Sequence, residues 1–541
     1  MTRRTGRVER LNPPSPLWGS NGITFGPDGR LYAAQFLAGR ITAVDTVTGE
    51  TEEVVPPDGP VRSPDDLAFG ADGSLYIADL VPGRVWRRTP DGTFTLVSDE
   101  VRVPNGITCV GDRLFVNEMR PDGRLLELFP DGGEPESPAA PRVLTGGLAL
   151  GNAMQRGPDG HLYYPHMVTG QVWRIAPDGG APELVAEDLP EPVAVRFDLA
   201  GVLLVLSRGQ AGLVTRIDLH SGARSVTASG LPGLDNAAFD AENRMFVSSF
   251  ASGGITELHP DGRTRELLPR GPVGPYGVTV DLAGTVHAAD HYRLATPAHR
   301  PAGAADDDAA HALRPFAHGV TADAAGLHVT SQYGEVRSHG HGGTRVRARG
   351  LRRPTGIAAR ADGVLLIAET DAGRVLALHE DDTTTVLAQG LDRPVDVAVD
   401  AAGRAYVSEE RRGALLRLDD GHPVTLADGL DAPQGLAVLG DELFTVESGA
   451  RRLLAVSLGT GELRVEAEDL AVGPPRPTDA DDPPALFTHG MPGLPRAFAG
   501  LAASPDGSLL LSANAEGTVL RLTPRAATPS PERPLREQDT P

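Results

Sequence analysis

The chain has 541 residues and a mass of 56.7 kDa, which is too long for one ordinary domain and suits two to four domains or one large array of repeats. It contains 65 glycines and 47 prolines, so long helices are excluded and many short elements joined by turns are expected. With 72 acidic against 50 basic residues the formal net charge is −22, so the chain lacks the basic surface that nucleic acid or an anionic membrane face requires.

Three further absences in the sequence narrow the chemistry. All of the basic residues are arginine, which excludes Schiff-base chemistry on a lysine. Cys109 is the single cysteine, which excludes an intrachain disulfide and a multi-cysteine metal site. The N-terminal stretch lacks the apolar segment of a signal peptide, and no run of about 18 apolar residues exists to span a membrane. The sequence therefore predicts a soluble cytoplasmic protein that binds a small molecule and neither nucleic acid nor a membrane.

Twelve copies of one pattern follow one another along the chain, spaced mostly by about 40 residues. The copies begin at Asn21, Asp65, Asn105, Asn152, Val193, Asp235, Tyr276, His318, Thr355, Val395, Gln434 and Ala499. Each copy has a short alternating run, a tight Asp-Gly-type turn, a β-rich run such as LYIAD, a second turn and two more β-rich runs. Four short antiparallel strands in a repeat of this length are typical of a propeller blade.

The pattern predicts an all-β protein, a β-propeller with twelve four-stranded blades. We expect two tandem six-bladed propellers at residues 1–273 and 274–526, followed by a tail at 527–541 whose composition is typical of disorder. The last copy lacks a fourth strand, which the N-terminal segment RVERL could supply. Because that pairing would bring the termini together, one twelve-bladed ring is the alternative architecture.

The blades resemble two related groups of propellers. Blades such as PTGIAARADGVLLIAE resemble NHL repeats and the streptogramin-lyase propellers. In the first half, SPLWGSNGITFGPDGRLYAA, SPDDLAFGADGSLYIAD and VPNGITCVGDRLFVNE resemble the SMP-30/gluconolactonase group, which are six-bladed, metal-dependent hydrolases. That group opens with Glu-Gly-Pro-x-Trp, whose Glu binds the metal. Here the Glu position is Pro14, so one metal ligand of the group is missing.

Two positions in each blade are expected to crowd the mouth of the central channel. The first is the residue just before the innermost strand, where the first six blades have Asn or Asp in five cases. Converging Asn and Asp oxygens suit a hard divalent cation, and in the resembled hydrolases such residues hold the metal. We therefore predict Ca²⁺, Mg²⁺ or Zn²⁺ at Asp65, Asn105, Asn152 and Asp235.

The second position lies about 14 residues later, at the end of the second strand. There we predict Asp79, Glu118 and His166 as the residues that move protons. Acids at this position also have a structural interpretation, because they can bond the backbone of a neighbouring loop. We assign substrate binding to five residues of the two positions: Asn21, Gln35, His318, Glu369 and Glu409.

The leading functional hypothesis is a metal-dependent hydrolase of the SMP-30/gluconolactonase type, acting on a lactone or ester of a small metabolite. A metal-assisted lyase or cyclase on a natural product is the second hypothesis. It follows from the resemblance to streptogramin lyases, in which a His at the first position works with a Glu about 14 residues on and Mg²⁺. The third is a non-catalytic propeller that binds a ligand or a protein, which the missing Glu at Pro14 favours.

Overall fold

The computed structural model describes residues 7–129, 140–297, 313–340, 342–419, 422–473 and 494–525. In this part of the chain the regular elements are β-strands and one 3₁₀ turn at Thr370–Ala372. The described residues include no helix long and apolar enough to cross a membrane. The tail predicted at 527–541 lies outside the described residues.

The first six repeats each form one four-stranded antiparallel sheet whose strands follow chain order. The first three sheets consist of β2 Ile23–Phe25, β3 Leu31–Gln35, β4 Arg40–Val44 and β5 Thr51–Val55; β6 Pro64–Phe69, β7 Leu75–Asp79, β8 Arg84–Arg88 and β9 Phe94–Ser98; and β10 Pro104–Val110, β11 Arg113–Glu118, β12 Gly123–Leu128 and β13 Arg142–Leu148. The next three consist of β14 Gln155–Arg156, β15 Leu162–His166, β16 Gln171–Ile175 and β17 Glu183–Ala186; β18 Pro192–Phe197, β19 Leu203–Ser207, β20 Leu213–Ile217 and β21 Arg224–Ala228; and β22 Leu234–Phe239, β23 Met245–Ser249, β24 Ile255–Leu258 and β25 Thr264–Leu268.

The later repeats form five more antiparallel sheets. One sheet has six strands: β26 Val278–Val280, β27 Val286–Ala295, β28 Leu313–Asp323, β29 Gly326–Ser331, β30 Glu335–Gly340 and β31 Gly343–Ala348. Three sheets of four strands follow: β32 Pro354–Ala359, β33 Leu365–Glu369, β34 Arg374–Leu378 and β35 Thr384–Gln389; β36 Pro394–Val399, β37 Ala405–Glu409, β38 Ala414–Asp419 and β39 His422–Ala427; and β40 Pro433–Leu439, β41 Glu442–Glu447, β42 Arg452–Ser457 and β43 Leu463–Ala467. The last sheet joins β1 Arg7–Arg10 to β46 Thr518–Thr523, β45 Leu509–Ala513 and β44 Leu501–Ala503.

The N-terminal segment supplies the missing strand of the last repeat, as expected from its sequence. Strand β1 pairs antiparallel with β46, with Arg7 opposite Thr523 and Arg10 opposite Leu520. The predicted hairpin turns are also present, since Gly29 and Gly73 have φ of 78°, a left-handed conformation that glycine adopts at low cost. The all-β prediction and the four-stranded antiparallel unit are therefore confirmed.

The seventh repeat differs from the predicted four-stranded blade. Strand β27 has ten residues, and its first part pairs with β26 while its second part pairs with β28, with His291 opposite Ala317. The seventh and eighth repeats thus share one six-stranded sheet, and the described residues form eleven sheets instead of twelve. The cause is the length of β27, which continues past the point where the equivalent strands of other repeats end.

The innermost strands contact one another in two closed cycles. Strands β2, β6, β10, β14, β18 and β22 contact in this order, and β22 returns to β2. Strands β26, β28, β32, β36, β40 and β44 form a second cycle, in which β44 returns to β26. We call the sheets around these cycles the first ring and the second ring.

The hydrophobic core is divided among the interfaces between adjacent sheets. Ile41, Val55, Leu67 and Ile77, for example, form one buried cluster between the first two sheets of the first ring. Alternate residues of a strand face opposite sides of the sheet, so each sheet contributes to two such clusters. This packing fixes the ends of the inner strands around the mouth of each ring.

Candidate active site between the two mouths

The two sequence positions expected at a mouth are neighbours in the fold. Pro64, next to Asp65, lies opposite Asp79, and Pro104, next to Asn105, lies opposite Glu118. The start of an inner strand and the end of the second strand therefore meet at the same end of the ring.

The side chains at the second position point into the wall of the ring, where they hold the loop that enters the inner strand. Asp79 Oδ1 accepts a hydrogen bond from Ser63 N at 2.7 Å, and Trp86 Nε1 donates to Asp79 Oδ2 at 3.1 Å. Glu118 Oε1 accepts from Arg102 N at 3.0 Å and from Arg124 Nη2 at 2.6 Å. The same backbone bond is made by Gln35 with Trp18 N, Asp290 with Val273 N, Glu369 with Arg352 N, Glu409 with Asp392 N and Glu447 with Asp431 N.

His166 occupies the equivalent place in the fourth blade. Its ring lies 5.7 Å from that of Tyr164 and 5.8 Å from that of Trp173, and burial lowers the pKa of the imidazole to about 4. Asp79, Glu118 and His166 thus lie in three separate blade walls, and the structure gives the first two the structural role that the sequence offered as an alternative. Gln35, Glu369 and Glu409 have this role too, because their side-chain oxygens accept bonds from the loops.

The residue that follows the second position faces the mouth instead. Met119 Sδ accepts hydrogen bonds from Asn105 Nδ2 at 3.1 Å and Asn152 Nδ2 at 3.5 Å. In the second ring the Thr370 and Thr355 hydroxyls lie 2.8 Å apart. These mouth residues are Phe36, Leu80, Met119, Met167, Arg208 and Phe250 in the first ring, and His291, Gln332, Thr370, Glu410, Ser448 and Asn514 in the second. Strand alternation is the sequence signal that predicts them, because in LYIAD the side chains of Leu75, Ile77 and Asp79 share one face.

The first mouth holds two buried carboxyl groups from blades two and six. Asp65 and Asp235 are each less than a tenth exposed. Burial and then the neighbouring Asp235 and Asp66 raise the pKa of Asp65 well above its usual range. Burial and the charge of Asp66 raise the pKa of Asp235 to about 8, against the opposing effect of Arg208 and Arg196. Burial and mutual repulsion therefore both favour the protonated, neutral forms of these two carboxyls.

Asn105 completes this group. Its Nδ2 donates to Asp65 Oδ1 at 3.1 Å, while its Oδ1 is buried and has no hydrogen-bond partner among the described residues. Of the other predicted residues, Asn152 uses its Oδ1 to accept from Ala153 N at 2.7 Å. Asn21 is buried at the same mouth, where its backbone oxygen accepts from Ser248 Oγ. The structure thus brings the carboxyl groups of Asp65 and Asp235 and the amide oxygen of Asn105 together in the first mouth.

Two more charged residues, Asp66 and Arg196, lie next to the mouth, and their side chains bond to other parts of the fold. Asn236 Nδ2 donates to Asp66 Oδ1 at 2.9 Å, and Ile107 N donates to Asp66 Oδ2 at 3.2 Å. Arg196 Nη2 lies 3.7 Å from the same carboxylate, and its Nε donates to Ala237 O at 2.8 Å. These bonds connect inner strands of different blades, including blades that are not neighbours in the cycle, so we assign Asp66 and Arg196 to the stability of the channel.

A hard cation fits this centre in part. Asp65 and Asp235 are carboxylates that repel each other, and Asn105 has an amide oxygen without a partner, which are the ligand types that Ca²⁺ and Mg²⁺ prefer. Within the described ranges, no three His, Cys, Asp or Glu side chains lie close enough together to hold a metal ion. A cation here would therefore have three protein ligands and complete its coordination with water.

The second mouth is aromatic. The ring of Tyr276 stacks on that of His318 at 4.7 Å, and His318 stacks on Phe498 at 5.7 Å. Phe498 comes from a segment between the repeats and is fixed by Asn514 Nδ2, which donates to its carbonyl oxygen at 3.2 Å. Below it, a cavity of about 240 Å³ runs along the inner strands of the second ring and ends at Phe498.

The two mouths face each other. Phe250 of the first ring packs edge-to-face on Tyr292 of the second, with ring centroids 4.9 Å apart. Leu494, in the segment that carries Phe498, packs against the apolar cluster of the first mouth, which includes Leu80 and Met119. Burial raises the pKa of Tyr292, and the charges of Asp65 and Asp235 contribute to that shift. Residues near the acidic centre of the first ring and the aromatic centre of the second ring therefore contact each other.

The sheets and their closed cycles define the class of this protein as a β-propeller. No family model and no curated protein matches its sequence. Among solved structures it is similar to a streptogramin B lyase, with 19% identity, a TM-score of 0.39 and coverage of 52% of this chain and 94% of the other. The nidogen/laminin complex gives 19% identity, a TM-score of 0.34 and coverage of 38% and 79%. The extracellular domain of a hybrid two-component system from B. thetaiotaomicron gives 10% identity, a TM-score of 0.32 and coverage of 98% and 84%.

Proposed function

We propose that the chain forms two six-bladed propellers packed mouth to mouth, and that it is an enzyme that hydrolyses an ester or lactone of a small metabolite between them. The observation that carries the proposal is the buried pair Asp65 and Asp235 beside the unpartnered Oδ1 of Asn105. Such a centre is costly to bury unless it binds a ligand of opposite charge. We therefore propose a divalent cation as its cofactor, held by these three residues.

The surrounding residues suit hydrolysis. A cation bound at this centre would supply a Lewis acid for the substrate carbonyl. Arg208, which lies over the Phe250 ring at 5.4 Å, places a positive charge at the rim, where it can stabilise an oxyanion. Phe36, Leu80, Met119 and Met167 give the rim an apolar surface that excludes water from the acyl group. In the lyase alternative, His318 would work with Glu369 or Glu409, but those two carboxylates bond loops in the blade walls.

Cation binding tests the proposal directly. We expect calorimetric titration of the chelator-treated chain with CaCl₂ or MgCl₂ to show one site, and Asp65→Asn or Asp235→Asn to weaken it at least a hundredfold. Asp396→Asn is the matched control, because Asp396 is an equally buried carboxyl whose oxygens accept from Val397 N and Leu436 N. A screen of esters and lactones with the ion-loaded chain then tests the reaction. Binding that survives both first-ring substitutions would contradict the cation site.

A further inference from the structure

His291 is a buried histidine whose ring has an unusual environment. The residue is fully buried, and neither Nδ1 nor Nε2 has a hydrogen-bond partner among the described residues. Its φ is 52°, a left-handed conformation that is uncommon for residues other than glycine. Buried polar atoms almost always have partners, and strained backbone is concentrated where a side chain must be aimed. Both observations indicate that His291 is positioned for a ligand.

Two more polar atoms without partners lie at the same mouth. They are Nδ1 of His318 and Nε2 of Gln332, both in residues that are about 1% exposed. Gln332 is held in place because its Oε1 accepts from Arg496 N at 3.1 Å, and its side chain also interacts with the Tyr333 phenol. A carboxamide has two N–H donors, so one remains for another acceptor. Together these side chains provide at least one donor and one acceptor from imidazole and a donor from the amide.

The walls around these atoms are flat and aromatic. The ring of His291 lies 4.5 Å from that of Tyr292, 5.6 Å from Phe316 and 6.4 Å from Tyr276. Burial lowers the pKa values of His291 and His318 to about 3, so both imidazoles are neutral at physiological pH. A planar group can pack against such rings, and a charged one would lose its hydration without gaining an opposite charge.

From this geometry we propose that the second mouth binds an uncharged planar aromatic group that carries a carbonyl oxygen and an N–H or O–H group. The carbonyl would accept from Gln332 and from one imidazole, and the N–H or O–H would donate to the other ring nitrogen. The inference rests on the proposed function in one respect: it assigns the aromatic group to the part of the substrate that does not react. The binding site itself needs no cation.

Three small probes of similar shape but different charge test whether binding depends on the charge of the ligand. Benzamide is neutral and carries both a carbonyl and N–H groups, benzoate is its anionic analogue, and benzylamine is a cationic one. On the full-length chain, we expect ligand-observed NMR and calorimetry to show benzamide binding in the millimolar range and at least tenfold weaker binding of the two ions. His291→Asn should weaken benzamide at least tenfold, since Asn tolerates the left-handed backbone but removes the imidazole. Gln332→Leu should weaken it several-fold.

A matched histidine in the same strand gives the control. His287 is also buried in β27, but its Nε2 is 2.9 Å from Asp281 Oδ2, so His287→Asn should leave benzamide binding unchanged. Asp65→Asn should likewise leave benzamide binding unchanged while it removes cation binding. Failure of this inference is thereby distinguished from failure of the proposed function. The inference is overturned if benzamide does not bind, if the charged probes bind as tightly, or if His291→Asn binds as the parent chain does.

Discussion

The mouths of the two rings are built from the same strand positions and have opposite chemistry. In the first ring the centre is acidic, with Asp65 and Asp235, and the rim is apolar, with Phe36, Leu80 and Met119. In the second ring the centre is aromatic, with Tyr276 and His318, and the rim is polar. One repeat therefore gives two different walls, because the residue types at the mouth positions differ between the two halves of the chain.

The two mouths also differ in how they are closed. In the second mouth Phe498, which comes from the same ring, stacks on His318, whereas residues of the second ring such as Tyr292 and Leu494 pack against the first mouth. Buried carboxyls are expensive without a partner, and buried aromatic rings are not. We infer that the first mouth interacts with charged groups and that the second mouth selects a ligand by its shape.

The largest expected difference between the rings concerns the carboxyls that join inner strands. Asp66→Ala leaves the buried Arg196 guanidinium without its carboxylate, so we expect a loss of about 3–5 kcal/mol in the free energy of unfolding. Asp396→Ala removes the acceptor of two backbone N–H groups and should cost about 1–3 kcal/mol. Chemical denaturation of both variants measures the difference. Equal losses would mean that Arg196 does not depend on Asp66.

Phe498→Ala tests whether the second mouth closes itself. The side chain is 2% exposed and stacks on His318, so its removal should cost about 3–5 kcal/mol in the free energy of unfolding. Leu494→Ala, in the same segment, removes a side chain that packs against the first mouth and should cost less because it is partly exposed. Thermal unfolding of the two variants gives the order. A smaller loss of stability in Phe498→Ala than in Leu494→Ala would show that the second ring does not depend on the Phe498 side chain.

The pH dependence of stability should have the same sign in the two rings, and only the first ring should respond to Ca²⁺. Without a cation, Asp235 is protonated in the folded chain below about pH 8 but ionises near 3.9 when unfolded, so its contribution to stability is lost as pH rises between those values. Because Ca²⁺ must displace that proton, its affinity should rise by up to about tenfold per pH unit towards pH 8 and then level off. Asp396 has a pKa of about 8 as well, but Ca²⁺ should not restore the stability lost there.

Calorimetry with CaCl₂ at several pH values, together with thermal unfolding in chelator, measures both effects. Asp235→Asn should reduce the rise of affinity with pH, leaving only the contribution of Asp65, and Asp396→Asn should leave it unchanged. An affinity that is flat from pH 6 to 8 would contradict a protonated pair at the first mouth.

The smallest effect is expected at the loop-holding acids of the two rings. Glu118→Gln and Glu447→Gln both keep an oxygen for the backbone bond from Arg102 N or Asp431 N but lose the charge that pairs with Arg124 or Arg452, so each should cost about 1–2 kcal/mol. Neither change should reduce turnover of an ester or lactone. Selective loss of turnover in Glu118→Gln, at unchanged melting temperature, would restore the catalytic role that the sequence suggests.

The sequence by itself determined the local structure. Its repeat, its Asp-Gly turns and its alternating apolar residues specify short antiparallel strands, and they also identify Arg7–Arg10 as the closing strand of the last sheet. It also singled out Asp65 and Asn105 as candidates, because both stand at a fixed point of the repeat. These features depend on neighbours within one blade, which is why a single chain contains enough information to predict them.

The tertiary structure decided which side chains meet. Asp79 and Leu80 are adjacent in sequence, yet one points into the blade wall and the other into the mouth, since a shift of one residue along a strand reverses the face. Asp65 and Asp235 come from blades 170 residues apart along the chain and meet only because the first cycle closes. The contact of Phe250 with Tyr292 joins two rings, and such pairings depend on the geometry of whole rings, which no local pattern encodes.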